Sequence, residues 1–330
     1  MSLARLVFTS LPRLFTDPAA GLRDDDLLPP DQPLKPWPNP HRFRANAAVR
    51  GLAFLASAMV LYAAGDAVYY AVTAQTPSSF LARSGLEVGA AIASYLIVAS
   101  LTEQRQPPFE LAPRRWVWLF GGLAFGAAAI ALTVGLLALA GAYKVTGFDP
   151  SYSPWADLVS AGLVAAICEE LIFRGMVFRL LEDALGSWLA VALVSAAFGA
   201  IHLANPEGTV LGAVGVAVEG GIVTTAVYIL SRSLWWCVGE HFAWNIVQGP
   251  VFGSAISGSG EPRGWIVAEM SGPDWLTGGA FGVEASAVTA FWLASFGAVL
   301  LVAAHKSGRI VSPCWTRRKL LAATGPAVAS

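Results

Sequence analysis

The chain has 330 residues, 55% of them hydrophobic and only 13% charged, with a formal net charge of −1. A soluble globular domain carries nearer a quarter charged residues, so the composition excludes that class, and the mean hydropathy of +0.59 agrees. The apolar runs are long and continuous rather than alternating with period two, which argues against a membrane-spanning β-barrel. The expected fold class is all-α: a polytopic membrane helix bundle of about eight transmembrane helices. The net charge itself says little about partners; the lipid bilayer is one, and no nucleic-acid partner is expected.

Residues 1–50 read as a cytoplasmic, Pro-rich leader. Its first fifteen residues are weakly amphipathic and suit the membrane surface. Asp24, Asp25 and Asp26 follow, then a proline-dense run over 29–40 that prevents a regular helix. The transmembrane bundle is expected over 51–304. Its spans fall at about 51–74, interrupted by Asp66, then 86–101 and 116–143. In the third, Gly122 and Gly126 offer a close helix contact. The fourth, 155–181, contains Cys168-Glu169-Glu170-Leu171-Ile172-Phe173-Arg174-Gly175. The fifth to seventh fall at 187–203, 210–230 and 234–252. A Gly/Ser-rich loop over 253–282 precedes the last span at 284–304, and residues 305–330 form a basic cytoplasmic tail. Trp116, Trp118, Trp235 and Trp236 read as interfacial anchors.

Lys and Arg concentrate on one side of this topology. The leader holds seven; Arg105, Arg114, Arg115, Arg179, Arg232, Lys306, Arg309, Arg317, Arg318 and Lys319 join them. Only Arg83, Lys144 and Arg263 fall on the other. By the positive-inside rule both termini are cytoplasmic, and the expected location is the cell (inner) membrane. Cys168, Cys237 and Cys314 give neither a disulfide framework nor a CxxC metal spacing.

Ionisable residues inside spans are costly and functional by default. Glu170 and Arg174 are four residues apart with the acid N-terminal, the favourable order for an ion pair. Glu169 points about 100° away from Glu170, so the two carboxylates have different parts: Glu170 is held by Arg174 and Glu169 faces something else. The fifth span ends in Phe198-Gly199-Ala200-Ile201-His202, and the seventh carries His241 and Asn245 on one helical face. Two chemistries fit this set. Glu169 and His202 can activate a water directly, with His241 and Asn245 donating to the developing oxyanion. Alternatively Glu169, His202 and His241 form a His₂Glu zinc site with an open water position; neither HExxH nor HxxEH occurs, and the cofactor-free form is preferred. Either requires the groups at one depth. Counted along straight helices, Glu169 and His241 lie roughly 12–14 Å from the cytoplasmic ends of their spans and His202 roughly 24 Å. Glu219 is expected to pair with a neighbouring helix or face a cavity, and Glu240 to sit near the cytoplasmic interface.

The motifs Glu169-Glu170-x-x-x-Arg174-Gly175, Phe198-x-x-x-His202 and His241-x-x-x-Asn245 resemble the three signatures of the CPBP family, the CAAX-protease and bacteriocin-processing membrane proteins also called Abi proteins. That family includes the type II CAAX prenyl endopeptidases. The resemblance covers about 155–258, with a further stretch at 278–284. It implies an eight-helix bundle with a polar cavity open to one membrane face and an intramembrane endopeptidase acting on a peptide or membrane-protein substrate. It assigns water activation to Glu169 and His202, and the oxyanion site to His241 and Asn245. Two other readings stay open: a catalytically silent membrane scaffold or bacteriocin-immunity-type protein of the same fold, and a proton-coupled transporter using the Glu/His relay.

Overall fold

The computed structural model describes residues 7, 11–15, 47–73, 79–101, 108–317 and 319. The acidic triplet, the proline-dense run and the tail beyond 319 lie outside the described residues. Among the described residues eight long helices dominate: α1 (Ala47–Val72), α2 (Phe80–Leu101), α3 (Trp118–Leu139), α4 (155–185), α5 (Ser187–Ile201), α6 (Val210–Ser231), α7 (234–251) and α8 (Ala287–Lys306). Among the described residues, six helices are long and apolar enough to cross a membrane. The two that are not, α4 and α7, carry Glu169, Glu170, Arg174, Glu240, His241 and Asn245. The residues that lower their hydropathy are the ones singled out for chemistry.

One feature departs from an all-helical reading. The segment that follows the expected third span, sharing only Tyr143 with it, pairs with part of the Gly/Ser-rich loop as a two-stranded antiparallel sheet, β1 (Tyr143–Phe148) with β2 (Ile266–Met270), with an irregularity between Val145 and Gly147. The β-branched Val and Thr in β1 and Ile and Val in β2 favour extended backbone.

Hydrogen bonds knit the loops into two ends. At one, Arg115 donates to the carbonyls of Ser231 and Arg232, Arg309 to that of Leu230, and Arg317 to Asp183. Arg232, in a left-handed conformation at φ 47°, forks onto Glu182 at 2.5 and 2.9 Å. Arg179 and Arg232 are therefore buried structural residues as well as markers of the basic side. At the other end Ser271 donates to Ala142, Asp149 to Trp265, Glu207 to Gly258 and Gly258 to Phe281, all through backbone N–H groups.

Between the ends, glycines let helices approach to backbone contact, the main route to tight packing where lipid removes the hydrophobic drive. A Cβ on Gly122 would lie 2.1 Å from the Trp236 carbonyl oxygen, and one on Gly126 2.3 Å from that of Glu240; Gly239 meets Leu119 in the same way at 2.3 Å. The close helix contact expected at Gly122 and Gly126 is thus formed, and the structure gives α7 as the partner. Trp236 is not an interfacial anchor. It is buried and packs edge-on against Phe15 and Trp118, whereas Trp116 is exposed. Nor does the leader's Leu11–Phe15 turn lie wholly on the surface: Phe15 is buried among Phe125, Trp236 and Phe296.

Candidate active site

The apparent depth mismatch between the polar residues disappears because of where the helices end. α4 runs on to Leu185, so Glu169 lies sixteen residues, about 24 Å, from its basic end. His202 follows α5, fifteen residues or about 22 Å from Ser187. α7 does not begin at that surface. The tight turn at Arg232 starts it deep in the bundle, where Leu234 packs beside Gly175. His241, seven residues on, therefore rises to the level of Glu170 and accepts its carboxylate as a partner: Nδ1–H donates to Oε1 at 3.0 Å.

Glu170 also accepts from Arg174 Nη1 at 2.8 Å. It is 1% exposed and Arg174 0%. The brace predicted within α4 thus reaches across to α7 and fixes His241. Arg174 rests over the Phe198 ring at 4.7 Å, and the same ring touches His202 and His241, with centroids 5.1 and 6.3 Å away. Phe198 is the apolar hub about which arginine and both histidines are set. A Cβ on Gly220 would lie 2.2 Å from that ring, so only glycine there lets α6 close behind it.

The tautomers follow from the acceptors. His202 Nδ1 lies 2.7 Å from the Phe198 carbonyl oxygen; a carbonyl only accepts, so Nδ1 carries the proton and a neutral His202 presents an unprotonated Nε2. His241 Nδ1 is likewise the donor to Glu170, which leaves its Nε2 as the free ring nitrogen. Asn245 Nδ2 donates to the Ala161 carbonyl at 2.8 Å, fixing the amide's orientation. α4 has π-type hydrogen bonding over Leu158–Val164. There the Ala165 N–H turns to Ser160 and Gly162, so Ala161 loses its α-helical donor and takes Asn245 instead. Such π-turns recur at functional sites for this reason.

Glu169, His202, His241 and Asn245 line one chamber of about 460 Å³, with Asp157, Ala161, Asn205 and Ser257 on its walls. Glu169 Oε2 is buried without a hydrogen-bond partner. Behind the chamber a cavity of about 10 Å³, room for a single water, is bounded by Glu170, Glu219, His202, His241, Asn245 and Glu284. Glu219 faces this cavity. Glu240 is not near the cytoplasmic interface: it is buried and accepts from Thr224 Oγ1 at 3.1 Å. Among the described residues no group of three His, Cys, Asp or Glu side chains that could hold a metal ion is found.

Sequence reasoning missed a clamp at the chamber's rim. Ser257 has φ 50°, rare for a residue other than glycine. Its N–H donates to Glu284, and its carbonyl accepts from Asn205 Nδ2 at 2.6 Å. Glu284 also accepts from Trp244 Nε1 at 3.3 Å, tying the loop to α7. Burial raises the Glu284 carboxyl above its ordinary value of 4.5. The detectable signal was an isolated Glu following a glycine-rich loop; it read as the start of a span.

Fold and site together define an integral membrane protein whose helices converge on an acid–histidine centre. Residues 151–247 match the family model described as type II CAAX prenyl endopeptidase Rce1-like. This segment, under a third of the chain, contains all six residues singled out from the sequence, and it is similar to the CAAX protease family. Comparison with curated proteins and with solved structures finds no match.

Proposed function

We propose that the chain is an intramembrane endopeptidase that hydrolyses a peptide bond with a water activated by Glu169 and His202, without a metal. The observation that supports it best is the convergence of Glu169, His202, His241 and Asn245, from three helices, on one chamber. A water between the Glu169 carboxylate and His202 Nε2 is held by an acceptor on each side. As it attacks the carbonyl carbon, its proton passes to Glu169. The oxyanion that forms accepts from His241 Nε2–H and from the second amide proton of Asn245. For His241 to donate from both nitrogens it carries two protons, with Glu170 as counter-charge. Glu169 then returns the proton to the leaving amine as the C–N bond breaks. Arg174 holds Glu170 in place, and so acts through His241.

The matched family is described by its action on prenylated CAAX proteins; for this chain such a substrate is one arm of the test. Purified protein is incubated with a peptide library, prenylated and unprenylated, beside Glu169→Ala and His202→Ala variants and a chelator arm. Cleavage by the wild type, lost in both variants and unaffected by chelator, is expected. Equal cleavage by all three proteins overturns the mechanism. Loss with chelator and recovery with zinc overturns the metal-free form. A folded wild type with no cleavage of any peptide favours the silent-scaffold reading.

A further inference from the structure

Among the described residues, two other than glycine have a left-handed backbone, Arg232 at φ 47° and Ser257 at φ 50°. Such a conformation is costly without glycine and persists where the surroundings hold it, often at functional sites. The Arg232 side chain has a visible task, the fork onto Glu182. Ser257 lies in a loop that places glycine at its neighbouring left-handed positions: Gly253, Gly258 and Gly260, at φ 67°, 70° and 75°. Glycine would fit position 257 without strain, so the path of the loop does not call for serine. Its backbone is already engaged, the N–H with Glu284 and the carbonyl with Asn205. The hydroxyl is the polar group left over, and it makes no hydrogen bond with the described residues.

Four residues border both the one-water cavity and the larger chamber: His202, His241, Asn245 and Ser257. The first three carry the proposed chemistry, and Ser257 completes the partition. We propose that Ser257 is a further catalytic residue, whose hydroxyl donates a third hydrogen bond to the oxyanion formed at the carbonyl under attack. This rests on the peptidase reading. An oxyanion on a tetrahedral carbon offers three lone pairs, and His241 Nε2–H and the Asn245 amide take two of them. The attacking water needs no such donor. It gives its protons to Glu169 and His202, and a hydrogen bond donated to its oxygen would draw on the lone pair that attacks. No bond of Ser257 is made or broken; the proton of the water still passes to Glu169 and on to the leaving amine. The anchors of Ser257 suit the task. Glu284 joins its N–H to Trp244, next to Asn245 in α7, and its carbonyl is held by Asn205, just after His202. The donor is thereby fixed before the charge develops, which is what makes such donors effective.

The full chain is compared with Ser257→Ala, which keeps the backbone strain, and Ser257→Gly, which relieves it, on a peptide from the library that the wild type cleaves. In both variants kcat is expected to fall about 10²- to 10³-fold, the effect of losing one oxyanion donor, with KM little changed. The glycine variant should melt at or above the alanine variant, so a loss of activity shared by both does not come from a weakened loop. A second arm needs no turnover. A peptide aldehyde of the same sequence, whose hydrate presents a tetrahedral carbon, is expected to bind the wild type more tightly than either variant in calorimetry, while the matching peptide alcohol binds all three alike. Wild-type kcat in either variant, a loss confined to KM, or equal aldehyde binding by all three overturns the proposal and leaves the peptidase reading standing. An acyl adduct trapped on Ser257 makes it a nucleophile and overturns the proposal as well. No cleavage of any peptide by the folded wild type overturns the peptidase reading, and this proposal with it.

Discussion

Glu170 is the point where stability and chemistry can be pulled apart. It accepts from Arg174 at 2.8 Å and from His241 at 3.0 Å while all but excluded from solvent. Replacing it by leucine removes both bonds and leaves the Arg174 guanidinium buried without its counter-charge. Breaking a buried pair from one side costs about 3–5 kcal/mol, which at roughly 2–4 °C per kcal/mol lowers Tm by at least about 6 °C. The double variant Glu170→Leu/Arg174→Met removes both charges, and replacing a buried pair with apolar side chains of similar size is often neutral. Its Tm is expected within about 3 °C of wild type, on the order of 1 kcal/mol. Cys237 is fully buried, so a thiol-reactive fluorophore in detergent follows unfolding. Activity should not recover with stability, because His241 has lost the acceptor that orients it in both proteins. A misplacement of this kind lowers kcat/KM about 10²-fold. A single variant as stable as wild type would refute the buried-pair reasoning. A double variant with full activity would show that Glu170 does not act through His241.

Glu169→Gln keeps the shape of the side chain and removes the base; kcat is expected to fall about 10²- to 10⁴-fold with Tm unchanged, and a retained kcat defeats the assignment. Gly126→Val places a side chain 2.3 Å from the Glu240 carbonyl oxygen at its first carbon alone; the α3–α7 seam must part, at about 1–3 kcal/mol, seen as a lower Tm. Phe15→Ala empties an aromatic pocket among Phe125, Trp236 and Phe296 and should cost about 3 kcal/mol or more; an unchanged Tm means the Leu11–Phe15 turn contributes nothing. Burial raises the Glu284 carboxyl above 4.5 in the folded chain. A raised carboxyl gives stability that is complete below the unfolded value and is lost as pH rises through the folded one. Tm should therefore decline as pH is raised from about 4.5, and Glu284→Gln should flatten that decline; a parallel pH profile in the variant contradicts it.

The part of the site legible in the sequence is the part built from residues that are anomalous where they stand. Glu169, Glu170 and Arg174 in a long apolar run, and His202, His241 and Asn245 in others, are conspicuous because a bilayer penalises each. Periodicity then divided the two carboxylates correctly, since a step of 100° cannot send both to one partner. The Gly122 and Gly126 seam was legible for the same local reason. What pattern does not carry is where a helix stops relative to its neighbours. α4 continues four residues past its expected end, and α7 begins deep beside Gly175 because Arg232 adopts a left-handed turn and is neutralised by Glu182. Nothing in a hydropathy profile marks a buried arginine as a turn. It reads as an interface, and this misplaces the depth of everything that follows it.

The same fact explains why the clamp at Ser257 escaped notice. Its three partners, Asn205, Glu284 and Trp244, come from a loop, a short turn and a helix far apart in the chain, and none breaks a pattern where it stands. Their meaning arises only when the end of the bundle remote from the arginines closes. That closure also separates two jobs that the sequence had merged. The buried arginines fasten one end by donating to carbonyls and carboxylates. The other end is held by backbone hydrogen bonds and by a serine in a strained conformation, and two chambers lie between its loops. In a membrane, irregular backbone persists only if it lines protein or water, and the loops of this end do so: Asn205, Ser257 and Gly260 wall the chamber that holds Glu169.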